Sequence, residues 1–85
     1  MYFVYILHSL KDSKLYIGFT TNIERRKRDH DNGEVPSTAS RRPLKIIYYE
    51  AHLSKKDALR REKYFKTTKG KSTIKLMLRD GLNLL

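Results

Sequence analysis

The sequence predicts an α+β fold: a small three-stranded antiparallel sheet flanked by helices, in the order β-β-α-β-α-α over residues 1–85. Three observations carry this. Runs dense in β-formers at 2–8 (YFVYILH), 15–19 (LYIGF) and 44–51 (LKIIYYEA) supply the strands. The first two runs are separated only by the short polar segment 9–14 (SLKDSK), as in a hairpin. Helix-start patterns follow the second and third runs, where Thr21 precedes Glu24 and Ser54 precedes Asp57. At 85 residues the chain is expected to be one domain, near the small end of what a single core can hold together.

The first run is apolar on both alternating faces: Tyr2, Val4 and Ile6 on one, Phe3, Tyr5 and Leu7 on the other. A strand without a polar face is covered on both sides, so it belongs at the centre of the sheet. Gly18, inside the second run, predicts a bulge or a close backbone approach. The capping box at Thr21 and Glu24 predicts a helix from Asn22, and Gly33 offers it a left-handed stop. Its only large apolar residue is Ile23, whose neighbours three and four positions on are Arg26 and Lys27, with His30 beyond them. Charge and imidazole stand where a core stripe should continue. Such a local departure from patterning marks a functional face.

Residues 34–43 (EVPSTASRRP) read as a polar, basic, mobile loop before the third strand. A second helix is expected from Ser54 to Lys66, with Ala58, Leu59 and Phe65 all three or four residues from Glu62, which aims that carboxylate into the packed face. Gly70 is expected to break the chain. A final helix with the inner stripe Ile74, Met77 and Leu78 then stops at Gly81.

Charge is lopsided: 19 Lys and Arg against 9 Asp and Glu leave a net +10, which favours a polyanionic partner, nucleic acid before an anionic membrane surface. No amphipathic helix has a strong apolar face for a membrane surface to take up. The longest apolar run, residues 1–7, is too short to span a bilayer and lacks the basic start of a signal peptide. With no cysteine, disulfides and thiolate zinc sites are excluded, and a reducing, cytoplasmic setting is expected. His8, His30 and His52 lack the spacing of a metal site.

Each polar candidate has an ordinary explanation when taken alone. Tyrosines suit strands, a histidine suits a helix C-terminus, Arg25 to Arg28 suit a solvated face, and Glu62 can pair with Lys66 at i,i+4. As a set aimed inward they cost too much unless they partner one another. The set fits phosphodiester chemistry. Arg26 offers a fork for phosphate, Tyr5, Tyr16 or His30 a proton acceptor, and Glu62 an oxygen ligand for a hard divalent ion. One strong acidic candidate is too few for a two-metal site built on several carboxylates.

Val4-Tyr5, then Tyr16-Ile17-Gly18, then Arg26, His30 and a distal Glu62 resemble the GIY-YIG nuclease domain family, especially small stand-alone members similar to the N-terminal nuclease of the bacterial excision-repair C subunit. The resemblance runs from Tyr2 to about Leu78, and the string Tyr-Ile-Gly-(x)-Thr-Thr-Asn-Ile-Glu-Arg-Arg makes it specific. It implies a metal-dependent endonuclease acting on DNA in repair or recombination. It implies that Tyr5 and Tyr16 flank the scissile phosphate, that Arg26 binds it and that His30 assists. Glu62 would hold a single Mg2+ or Mn2+, and Gly18 would let backbone approach the substrate. Phe3-Val4-Tyr5 departs from Gly-Ile-Tyr but keeps the tyrosine. Arg25, Lys27, Arg41, Arg42 and Lys66 are the expected nucleic-acid contacts. Substrate choice then falls to this basic surface or to a partner protein. A non-catalytic nucleic-acid-binding module on the same fold is the alternative.

Overall fold

Strand β1 (Tyr2–Ser9) runs up the middle of the sheet in the computed structural model, which describes residues 1–85. Strand β2 (Leu15–Thr20) pairs with it antiparallel as a hairpin, Tyr5 opposite Gly18 and Leu7 opposite Tyr16. Helix α1 (Ile23–Asp31) and the one-turn helix α2 (Pro36–Ala39) follow. Strand β3 (Leu44–His52) then pairs antiparallel with the other edge of β1, giving the order β2-β1-β3. Helices α3 (Lys55–Phe65), α4 (Thr68–Met77) and the short α5 (Arg79–Leu82) complete the chain.

The two-faced apolar character of β1 explains its place. Val4 and Ile6 join Ile17 of β2 and meet Ala58, Phe65 and Ile74 from α3 and α4. Tyr5 and Leu7 point the other way, where Leu44, Tyr16, Ile23 and Ile46 close over them. The catalytic candidates on β1 and α1 thus occupy the second, smaller core.

Local corrections to the sequence reading have identifiable causes. Asn22, rather than Thr21, caps α1: its side chain accepts from the Arg25 amide at 3.0 Å. Ser54 stands at the N-cap of α3 but makes no side-chain capping bond. Leu59 is 40% exposed and Met77 39% exposed, so neither joins the packed stripe with Ala58, Phe65 and Ile74. Gly70 does not break the chain. It lies within α4, where the α3–α4 crossing is so close that a methyl there would overlap the Tyr64 carbonyl. Gly81 lies within α5 and does not stop a helix; α4 has already ended at Met77.

The segment expected to be a mobile loop is folded onto α1. Pro36 stands at the first position of α2, Val35 and Thr38 are buried, and Arg41 returns to Asp12 at 2.8 Å. Gly33 does take the left-handed conformation (φ 75°) that ends α1 and turns the chain toward α2.

Helix α3 is clamped to β3 by one carboxylate. Arg61 Nε donates to both Glu50 oxygens at 3.1 Å, Tyr48 donates at 2.8 Å, and the His52 ring lies 2.6 Å away. Burial works to raise the Glu50 pKa, but these partners outweigh it and hold the carboxyl below its usual range. The Arg61 guanidinium also lies 4.2 Å over the Phe65 ring. This grip ties α3 to β3 one residue before Glu62.

Candidate active site

Four of the five expected catalytic side chains meet on the smaller-core face of the hairpin. The Tyr5 hydroxyl lies 2.8 Å from His30 Nε2 and accepts a 3.3 Å hydrogen bond from Arg26 Nε. The Tyr16 ring stands edge-on to His30 at 5.2 Å and tilted to Tyr5 at 6.4 Å. Strand pairing makes this possible: Tyr5 and Tyr16 lie on one face of β1 and β2, two residue pairs apart along the ladder, and α1 lies across both. Helical spacing does the rest, since Arg26 and His30 are i and i+4 on α1 and therefore share a face.

Gly18 serves this cluster directly. A methyl group on it would overlap the Tyr5 ring and hydroxyl, so the bare α-carbon is what admits the ring. The expected bulge is elsewhere, between Ile6 and Leu7 in the β1–β3 pairing.

Burial governs the electrostatics. His30 is fully buried, and burial first, then the Arg26 and Lys27 charges, hold its pKa down to about 4. The ring is neutral near pH 7. Burial also pushes the Tyr5 phenol up to about 12, against the opposing hydrogen bond from Arg26, while the Tyr16 and Glu62 charges add a further push. The bond to Tyr5 in turn strengthens the hold of Arg26 on its proton. No protein hydrogen bond engages the two terminal nitrogens of Arg26. Beside it a polar cleft of about 260 Å³ opens between Thr20, Thr21, Asn22, Arg25 and Asp29, with no apolar residue in its lining.

Glu62, the fifth expected residue, stands on α3 and makes no hydrogen bond to the other four. Its charge is felt at Tyr5, its side chain is 20% exposed, and Lys66 Nζ donates to it at 3.2 Å. No three His, Asp or Glu side chains converge as a metal cage. One part-buried carboxylate suits a hard ion that keeps most of its waters and takes the rest of its oxygens from a phosphate, as Mg2+ does. Glu62, held by Lys66 alone, has the donor chemistry such an ion would need.

The basic candidates divide. Arg25 and Lys66 are exposed. Lys27 is held by Asp31 at 2.5 Å and the Leu44 carbonyl at 3.2 Å. Arg41 is tied to Asp12, whose carboxyl it holds well below the usual range, and Arg42 donates to the Ala39 carbonyl at 2.8 Å.

Thr38 was missed by the sequence reading. It is fully buried on α2, with Oγ1 at 2.7 Å from His30 Nδ1. Pro36 at a helix start was the one signal that this stretch folds, and nothing in it pointed to His30.

Comparison with known proteins agrees with this fold. The model of the GIY-YIG catalytic domain matches residues 1–75. A UPF0213 protein of Limosilactobacillus reuteri is 38% identical, over 99% of this chain and 90% of its own. UPF0213 protein NP_0776A of Natronomonas pharaonis is 42% identical over 78% of each chain. The solution NMR structure of UPF0213 protein BH0048 from Bacillus halodurans superposes with a TM-score of 0.57 at 32% identity, covering 91% of this chain and 85% of that one. Members of the matched family are generally nucleases that act on DNA and use divalent metal ions. No helix here is long and apolar enough to cross a membrane. On the family match, the shared fold and these relatives, the chain belongs to the GIY-YIG domain family.

Proposed function

We propose that this protein is a metal-dependent endonuclease that hydrolyses DNA phosphodiester bonds, in repair or recombination. One observation carries the reading: a single tyrosine oxygen is held by both a buried neutral imidazole and a guanidinium whose outer nitrogens are free. Binding DNA requires cations but has no need of that arrangement.

Each residue then has a task. Arg26 keeps Nε on Tyr5 and turns its terminal nitrogens to the scissile phosphate, neutralising charge that gathers as phosphorus becomes five-coordinate. Tyr5, as phenolate, accepts a proton from the attacking water. The water oxygen bonds to phosphorus, and the departing ester oxygen is protonated by solvent. Tyr16, only part-buried, orients phosphate and water. His30 holds the Tyr5 oxygen in place. Glu62 would hold a divalent ion, which would supply Lewis-acid stabilisation of the charge that develops on the departing oxygen. Arg25 and Lys66 add phosphate contacts, and a partner protein can supply further selectivity.

The rival is a non-catalytic nucleic-acid-binding module, favoured by the engagement of Glu62 with Lys66. Incubating the protein with labelled duplex, flapped and branched DNA, with Mg2+, Mn2+ or EDTA, separates the two. Cleavage that EDTA stops supports the nuclease. Binding without cleavage of any substrate under all metals supports the module.

A further inference from the structure

The direction of the hydrogen bond between Tyr5 and His30 is decided 8 residues along the chain from His30, at Thr38. A neutral imidazole carries one proton. If it sits on Nδ1, Nε2 accepts from the Tyr5 hydroxyl; if on Nε2, the ring donates to the Tyr5 oxygen. Thr38 also has one hydroxyl proton, and its side chain is fully buried, so that proton must find an acceptor inside the protein.

Two acceptors are available. His30 Nδ1 lies 2.7 Å from Thr38 Oγ1. The Val35 carbonyl lies 3.5 Å away, at the limit of a hydrogen bond, and already accepts the Thr38 amide at 3.1 Å and the Ala39 amide at 3.0 Å. Distance and competition both send the hydroxyl proton to Nδ1. The backbone then holds the threonine in place, since the Thr38 carbonyl accepts from the Arg41 amide at 2.9 Å.

We propose that Thr38 is a positioning residue for the reaction: by donating to His30 Nδ1 it fixes the Nε2–H tautomer and makes His30 a donor to the Tyr5 oxygen. Both lone pairs of that oxygen are then met by N–H groups, from His30 at 2.8 Å and Arg26 at 3.3 Å. The phenol proton is left to point toward the substrate side. The phenolate that remains after its loss to solvent sits between two fixed donors. His30 thereby acts as a permanent hydrogen-bond donor rather than as the acceptor of the Tyr5 proton. This inference rests on the nuclease reading for its catalytic meaning, and on geometry alone for the tautomer.

The test reads the tautomer first. Two-bond proton–nitrogen correlation spectra of the full chain, labelled with nitrogen-15 histidine and assigned by loss of the His30 signals in His30→Gln, should show Nδ1 unprotonated and Nε2 protonated. An Nδ1–H tautomer in the wild type overturns the proposal, whatever the variants do. Thr38→Val, which removes the hydroxyl but keeps the shape, should lose the Nε2–H preference and slow single-turnover DNA cleavage by roughly tenfold, the equivalent of one good hydrogen bond. Thr38→Ser should restore both. A Thr38→Val protein with wild-type tautomer and rate also overturns it. Should Thr38→Val fail to fold, the wild-type and Thr38→Ser spectra still decide. An Nε2–H wild type that cuts no DNA would count against the nuclease reading while upholding the hydrogen-bond assignment.

Discussion

The Tyr5 ring lies against the bare α-carbon of Gly18, its pairing partner on the neighbouring strand, so closely that any side chain there would occupy the place of the ring. The glycine of the Tyr-Ile-Gly string therefore sets where the Tyr5 hydroxyl can stand. Gly18→Ala should push the ring off Arg26 and His30, destabilise the fold by roughly 1–3 kcal/mol as overpacking does, and remove most cleavage. Denaturant unfolding and single-turnover cleavage of the variant check this. Wild-type values for both would mean that the ring is free to shift.

Glu62 is the candidate metal ligand, and it follows the Arg61 that grips Glu50. Glu62→Gln should abolish cleavage while leaving folding and most DNA binding intact. Losing the metal should cost several kcal/mol of transition-state stabilisation. A variant that cuts at near the wild-type rate would reduce Glu62 to a surface partner of Lys66.

DNA affinity should be sequence-tolerant and fall steeply with salt through counterion release. The structure separates the basic residues by what they already hold. Arg25→Ala should flatten the salt slope by about one unit, because its charge is exposed. Arg41→Ala should instead lower stability, since that side chain is tied to Asp12 and the Leu15 carbonyl. Equal slopes for wild type and Arg25→Ala would remove Arg25 from the interface.

The buried imidazole makes stability depend on pH. Its pKa is held down to about 4 in the fold, against an ordinary 6.5. As pH falls the unfolded chain takes up this proton first. The stability is therefore complete above pH 6.5 and is lost as pH falls from 6.5 toward 4, by up to about 3 kcal/mol. Urea midpoints measured across that window should drop in the wild type and drop much less in His30→Gln. Matching slopes would place the titration elsewhere.

Much of this was legible in the sequence. The β-former runs and the two-faced character of residues 2–7 placed the central strand, and polar residues along the Ile23 stripe pointed to Arg26 and His30, which do turn inward to meet Tyr5. What stayed hidden had too little chain to show a period, or depended on contacts distant in sequence. Helix α2 is 4 residues long, so no repeat announces it, and Thr38 meets His30 only because that turn folds back onto α1. Gly70 reads as a breaker by composition, whereas its role is to admit the Tyr64 carbonyl across a helix crossing. Leu59 and Met77 match helical spacing yet lie at the edge of the sheet's cover, where spacing alone does not tell inside from outside.

The two tyrosines test the central claim most directly. With the Tyr5 phenol pushed up to about 12, only a small phenolate fraction exists near neutrality. Cleavage carried by that fraction should rise with pH through the neutral and mildly alkaline range. The decisive measurement is single-turnover cleavage of labelled DNA against pH, with metal saturating, for wild type, Tyr5→Phe and Tyr16→Phe. Tyr5→Phe should lose nearly all activity together with the rise. Tyr16→Phe should be slower with the same profile. A Tyr5→Phe protein that keeps the wild-type rate and profile would contradict the account.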